Sequence, residues 1–488
     1  MITKYILNFW ERYKKMSVVA KAAMWFTFST VLQKGISFIT VPIFTRLMTT
    51  EQYGLFSVYL SWVSVLTILG TMNFETCIYI NSLAKFDNEK DKNDIAVSLI
   101  DLAFVITIIW FLIYLLAKPF WNNVLGMSTT MVVLMFTEIV FLPAVNLWTT
   151  KQKFEYKYKR MVLLTISQVV LNACFGILFV ALAQEQNQAQ ARVFSITIVQ
   201  AVIGSICAIY FFLRAKKLFV TKWWKKALQI HLPLLPHNLS LTVLASADRI
   251  MINSMVGASS AAFYSLAYSA TMVMNLLKLS LAQALTPWVY KSIKAGRFEA
   301  LKKRSSQMIL LITAFVFVFI LFAPEVVYIV GSSEYREAVY CIPPVAASIY
   351  FTFLYNLFSN IEFYYERTKE IMYASIGAAV LNIVLNIGFI KAFGYTGAAY
   401  TTLICYMVLS LVHYCVVKDC IKKNIGEVEL FDKKLLIYLS AIVLICTGIF
   451  TISYRITVLR YSLIVVMLIV GFVKKKQIVG LLQEIKKG

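Results

Sequence analysis

Five charged side chains stand inside otherwise apolar stretches. They are Lys34 in Gln33-Lys34-Gly35, Glu138, the neighbours Asp248 and Arg249 in Leu244-Ala245-Ser246-Ala247-Asp248-Arg249-Ile250, and Lys278. A cation at mid-membrane costs about 2.5–3.5 kcal/mol on the insertion scale, so such residues face water or a partner. With three cations and two carboxylates, the deep interior is mildly positive. Lysine offers phosphoryl oxygens a point charge and arginine a two-pronged fork. Lys34, Arg249 and Lys278 are therefore the expected contacts of a phosphate or pyrophosphate. Snorkelling, or pairing with Asp248 and Glu138, is the purely structural account of the same residues. Those two carboxylates are also the candidates to carry a coupling proton or cation. A pump for cationic drugs calls instead for a carboxylate-rich cavity.

Amides and rings accompany these charges. His237, Asn238, Asn275, Gln283 and Asn356 sit in neighbouring apolar segments, near Tyr350, Tyr355 and Asn360. Sugar hydroxyls bind amides and stack on aromatic rings, although bonding between helices accounts for such residues equally well. Pro42, Pro233 and Pro236 fall in what read as the first and seventh spans; a proline removes a donor and kinks a helix, and the expected role is a hinge. The Trp223-Trp224 pair among lysines reads as an interfacial amphipathic segment. No P-loop, GxSxG or HExxH motif is present, so neither an enzyme nor a directly ATP-driven pump is expected. Eight cysteines lack CxxC spacing and only three histidines exist, so no metal or other cofactor is expected.

The elements that must carry these residues follow from composition. The chain has 488 residues, of which 60% are apolar and 15% charged. Soluble domains carry about 25% charged residues, so a string of soluble domains is excluded. A spanning helix takes about 20 apolar residues. By that measure about 14 stretches qualify, the weaker ones near 53–73, 232–256 and 395–417, and too little chain remains for a sizeable extramembrane domain. The 47 Lys and Arg against 24 Asp and Glu give a net charge of +23. With the N-terminus placed inside, most of the cations fall in cytoplasmic connections, as the positive-inside rule requires. That puts both termini in the cytoplasm and makes a nucleic-acid partner the lesser reading. No cleavable signal peptide is expected, because residues 1–23 are polar and basic.

Phe154–Asn172 resembles Tyr364–Asn382, with Lys159/Lys369, Ile166/Ile376, Val170/Val380, Leu171/Leu381 and Asn172/Asn382 identical. Tyr53–Ser57 pairs more weakly with Ala261–Ser265 at nearly the same spacing. Six spans separate the partners, an even number, so the halves are expected as parallel repeats. The expected fold is an all-α polytopic membrane protein. Residues 1–229 and 230–425 form two six-helix lobes around a central cavity, and 426–488 add a helix pair and a tail.

Three elements resemble bacterial polysaccharide repeat-unit flippases of the Wzx type. They are Thr45-Arg46-Leu47-Met48-Thr49-Thr50-Glu51-Gln52-Tyr53-Gly54-Leu55-Phe56, the run from Leu232-Pro233 through Asp248-Arg249-Ile250, and Leu381-Asn382-Ile383-Val384-Leu385-Asn386 through Gly394-Tyr395-Thr396-Gly397-Ala398-Ala399-Tyr400. They are strong for the superfamily shared with MATE exporters and lipid II flippases, and weaker for the substrate. Thr50 departs from the proline that family members often carry there. The resemblance implies movement of undecaprenyl-pyrophosphate-linked oligosaccharide from the inner to the outer leaflet of the bacterial cytoplasmic membrane by alternating access, serving capsule, exopolysaccharide or O-antigen synthesis. Its implied partners are that lipid-linked glycan, membrane lipids and a polysaccharide polymerase. A MATE-type cation-coupled antiporter is the alternative.

Overall fold

A computed structural model of the chain describes residues 16–473, together with Tyr13 and Lys475. The basic N-terminal stretch and the tail after the last helix, both expected in the cytoplasm, lie mostly outside the described residues. Among the described residues there is no strand, and nine helices are long and apolar enough to cross a membrane. Val18–Leu47, Leu235–Met255 and Met272–Lys294 are also long enough but more polar. The chain is an all-helical, multi-pass membrane protein.

Helix starts follow local chemistry. Ser17, Thr49, Asn88, Ser128 and Asp432 each accept a backbone N–H of the first turn through a side-chain oxygen, satisfying donors that a helix end otherwise leaves open. Two stretches read as separate spans, 371–390 and 395–417, run through the structure as Thr368–Asn424, broken only at Gly394. Gly394 has φ 63° and ψ −151°, a conformation open essentially to glycine. Gly397 then lets the second helix close on the first, since a Cβ there would lie 2.3 Å from the Phe389 carbonyl oxygen.

The chain divides into two compact units, Met1–Thr242 and Val243–Gly488, with the boundary inside Leu235–Met255. In the first unit, Thr129–Phe154 packs along Gln188–Ala215, and Val18–Leu47 along Tyr158–Leu182. Its apolar core gathers Phe74, Tyr79, Leu99, Leu147 and Phe211. In the second, Ile342–Tyr364 is the hub. Over Ser333–Tyr364 the apolar window is 83% buried, against 17% for Tyr158–Leu182, so the former is enclosed by neighbours and the latter shows its face outward. Lys433–Ser453 and Thr457–Val473 lean on this unit. Arg460 holds Glu325 at 2.6 Å, and the Tyr454 hydroxyl donates to the Ile320 carbonyl.

Candidate functional site

Asp248 is the most completely organised polar centre of the second unit. It is 2% exposed, and its Leu235–Met255 helix brings it against Ala258–Ala270 and both arms of Thr368–Asn424. The Asn382 and Asn386 amides donate to Oδ1 at 3.1 and 2.7 Å. The Tyr264 and Thr402 hydroxyls donate to Oδ2. Thr401 donates to the Asn386 carbonyl oxygen, which orients that amide toward the carboxylate. All four partners are neutral. The carboxylate is saturated as an acceptor, yet among the described residues no ion pair offsets its charge. A buried anion in that condition calls for a compensating positive charge.

Arg249 does not supply it. Successive helical residues point about 100° apart, and the Arg249 guanidinium lies 4.4 Å from the centre of the Tyr268 ring, with one 3.4 Å bond to its own helix at Ala245. It is half-buried and, among the described residues, forms no ion pair. Lys278 is half-buried on Met272–Lys294, and Lys34 exposed on Val18–Leu47; among the described residues neither forms an ion pair. The pairing considered for these cations with Asp248 and Glu138 is therefore not made.

Glu138, in the first unit, accepts instead from the fully buried Tyr59 hydroxyl at 2.8 Å. Its charge interacts with Arg192. Arg192 lies within Gln188–Ala215 and is 8% exposed. Its Nη1 donates to the Asn172 carbonyl at 3.0 Å and to Ser195 Oγ at 2.9 Å, and the guanidinium packs on the Phe44 and Phe56 rings. Gly176 makes the room, because a Cβ there would come within 2.5 Å of Nη1.

The internal repeat connects the two centres. Continued at the spacing of Asn172 and Asn382, it sets Gly176 over Asn386 and Arg192 over Thr402; the weaker pair sets Phe56 over Tyr264.

The remaining candidates are dispersed. His237 and Asn238 belong to the first unit, both half-buried; Asn275 and Asn356 are half-buried in the second, and Gln283 is exposed. Asn360 accepts from Thr286 at 3.0 Å, a bond between helices. Pro42 lies inside its helix, where Arg46 donates to the Pro42 carbonyl at 2.8 Å. Pro233 precedes Leu235–Met255 and Pro236 stands in its first turn, where a missing donor breaks no helical bond.

A groove of about 420 Å³ opens among Ile342–Tyr364, the second arm of Thr368–Asn424 and Lys433–Ser453. Phe351, Leu354, Phe358, Leu411 and Leu444 line it, and Lys433 stands at one end.

With this geometry in place, the chain can be set beside known proteins. A family model described as polysaccharide biosynthesis protein matches residues 19–293. The chain belongs to that family. A model described as MatE matches residues 233–387 of this polysaccharide biosynthesis family member. An uncharacterized membrane protein of Methanocaldococcus jannaschii is 23% identical over 419 residues, covering 79% of this chain and 94% of its own. The lipid II flippase MurJ, in an inward closed conformation, shares the fold with a TM-score of 0.68 at 15% identity, over 93% of this chain and 99% of its own. An inward-facing multidrug resistance MATE family transporter of the MOP superfamily gives 0.56 at 14%, over 80% and 99%. The chain, a member of the polysaccharide biosynthesis family, thus has the fold of these transporters and flippases.

Proposed function

We propose that this protein moves undecaprenyl-pyrophosphate-linked oligosaccharide repeat units from the inner to the outer leaflet of the bacterial cytoplasmic membrane by alternating access, with both termini in the cytoplasm. The observation that carries this reading is Arg249. It stands next to a buried carboxylate that four neutral donors already occupy, so its charge stays available to an anion. Lys278 and Lys34 add two more cations without an ion pair among the described residues. A diphosphate matches that charge, the fork of arginine suits its oxygens, and the apolar groove ending at Lys433 suits a stretch of prenyl chain. His237, Asn238, Asn275, Gln283 and Asn356 are the residues proposed to meet the sugars, and Pro42, Pro233 and Pro236 the hinge positions. The proposed lobes are 1–229 and 230–425, with 426–488 appended.

The test is outward movement of a defined lipid-linked diphosphate oligosaccharide in proteoliposomes. The wild type accelerates it; Arg249→Ala and Lys34→Ala slow it at least ten-fold, while the same glycan on a neutral lipid is not moved. Equal rates for the variants remove the phosphate contacts from the proposal.

Asp248 favours a second reading, a cation-coupled antiporter of MATE type, because an unneutralised buried carboxylate is a natural seat for a coupling proton or cation, with Glu138 a lesser candidate. Export of cationic compounds, dependent on an ion gradient and indifferent to Arg249→Ala, would establish that reading in place of the first.

A further inference from the structure

A second titratable pair lies buried in the Val243–Gly488 unit, apart from Asp248 and from the three candidate phosphate contacts. Glu362, near the end of Ile342–Tyr364, and His413, on the second arm of Thr368–Asn424, are both 0% exposed. Both carboxylate oxygens lie within hydrogen-bond reach of one ring nitrogen, Oε2 at 2.7 Å and Oε1 at 2.9 Å from Nδ1. The other nitrogen, Nε2, is buried without a hydrogen-bond partner. The Tyr355 ring packs on the imidazole at 4.8 Å between centroids.

The proton count of such a pair is restricted. With Nδ1–H donating to an ionised Glu362, Nε2 is a bare acceptor and the pair carries a net −1 in an apolar core. One added proton, on Nε2 or on the carboxylate, brings the net charge to 0 and leaves every covalent bond intact. Burial opposes net charge, and a lone-pair nitrogen without a donor is the open position for that proton.

The surroundings supply little else to set the charge. Tyr355 lies on the helix of Glu362, and Tyr406 lies within Coulombic reach of both Tyr355 and Asp248. Cys420 feels Glu362 together with Arg367 and Asp419, which face each other at 3.3 Å. From Met272–Lys294, Tyr290 packs on Tyr364. Among the described residues no Lys or Arg reaches ion-pair distance of Glu362. His413 also follows Thr402, a partner of Asp248, by 11 residues. That is close to three helical turns, about 16 Å along one face, with the buried Cys405 and Leu409 and the half-buried Tyr406 between them.

We propose that Glu362 and His413 form a second proton-binding site in this unit, holding one exchangeable proton on the same helix face as Thr402, a partner of Asp248. A fixed ion pair would look similar in a static structure but would not exchange its proton over an accessible pH range.

Three histidines make the test direct. Full-length protein carrying ¹⁵N-histidine, in detergent micelles, gives three ring spectra, assigned with His231→Gln and His237→Gln. In the wild type His413 is expected to change protonation state between pH 5 and pH 9. Glu362→Gln is expected to lower its proton affinity at least ten-fold. A His413 spectrum that keeps one protonation state across that range overturns the proposal, as does a midpoint that Glu362→Gln leaves unmoved. The wild-type titration decides by itself should Glu362→Gln fail to fold.

Discussion

Adjacent in sequence, Asp248 and Arg249 have separate work because a helix turns them onto different neighbours. The separation is testable. Asp248→Asn replaces one acceptor oxygen with a donor that faces donors already in place, so at least one hydrogen bond is lost and one amide or hydroxyl left unmatched, a cost of about 1–3 kcal/mol. Arg249→Ala gives up one 3.4 Å backbone bond and one ring contact and should cost under about 1 kcal/mol. Thermal unfolding in detergent should therefore rank Asp248→Asn well below Arg249→Ala, while transport of a diphosphate lipid ranks Arg249→Ala low. The reverse stability order would contradict the four-donor arrangement. Gly176→Ala tests the other centre. Its new methyl group meets Arg192 at 2.5 Å and must push the guanidinium off the Asn172 carbonyl, a loss of about 1–3 kcal/mol; the measurement is again the unfolding temperature. These partnerships were only half legible in sequence. Asn382 and Asn386, four apart in an apolar run, announce one polar helix face, whereas Arg192 near a helix end looks like any loop cation until the Gly176 gap beside it is seen. Glu362 and His413 are 51 residues apart and share no motif.

Between the spans, the connections are fastened as well as the helices. The Trp224–His231 helix is pinned over the turn that follows Thr50–Thr71: His231 Nδ1 donates to the Met72 carbonyl at 2.9 Å, and Nε2 accepts the Ile78 N–H at 3.4 Å. One donor and one acceptor require the neutral ring. Burial pushes His231 below its ordinary range, opposed by the Met72 carbonyl. A histidine with a depressed folded-state pKa lends stability that is complete above the unfolded value, near 6.5, and is lost as pH falls below it. The wild type should thus unfold at lower temperature at pH 5.5 than at pH 7.5, and His231→Gln should narrow that difference, with scans at both pH values as the measurement. The turn at Gly394 makes a sharper prediction: Gly394→Ala forces a methyl-bearing residue into φ 63°, ψ −151°, costing about 1–3 kcal/mol. The spans themselves were legible because apolar length is written directly in composition. The turn between the 371–390 and 395–417 stretches was legible as a glycine motif; its tightness, with the helix resuming at once, depends on the Phe389 approach to Gly397.

On the scale of the whole molecule the deciding quantity is the sign of what crosses the membrane. One unit buries a cation, Arg192, and the other an anion, Asp248, and the cargo's own charge sets the sign of the electrical work. Moving one elementary charge through 100 mV is worth about 2.3 kcal/mol. A pyrophosphate bearing about two negative charges, carried outward from a negative interior, gains roughly 4–5 kcal/mol per 100 mV; a cationic compound carried outward loses about 2.3 per charge. A flippase for a diphosphate lipid should therefore run faster outward when a potassium gradient with valinomycin makes the vesicle interior negative, and slower when the gradient is reversed. An exporter of cations should respond in the opposite sense unless ions flow inward in exchange. Rates measured at two imposed potentials, with Asp248→Asn alongside to remove any contribution from an ion bound at that carboxylate, separate the two cases: a potential response that survives the substitution belongs to the cargo, and one that vanishes with it belongs to the coupled ion.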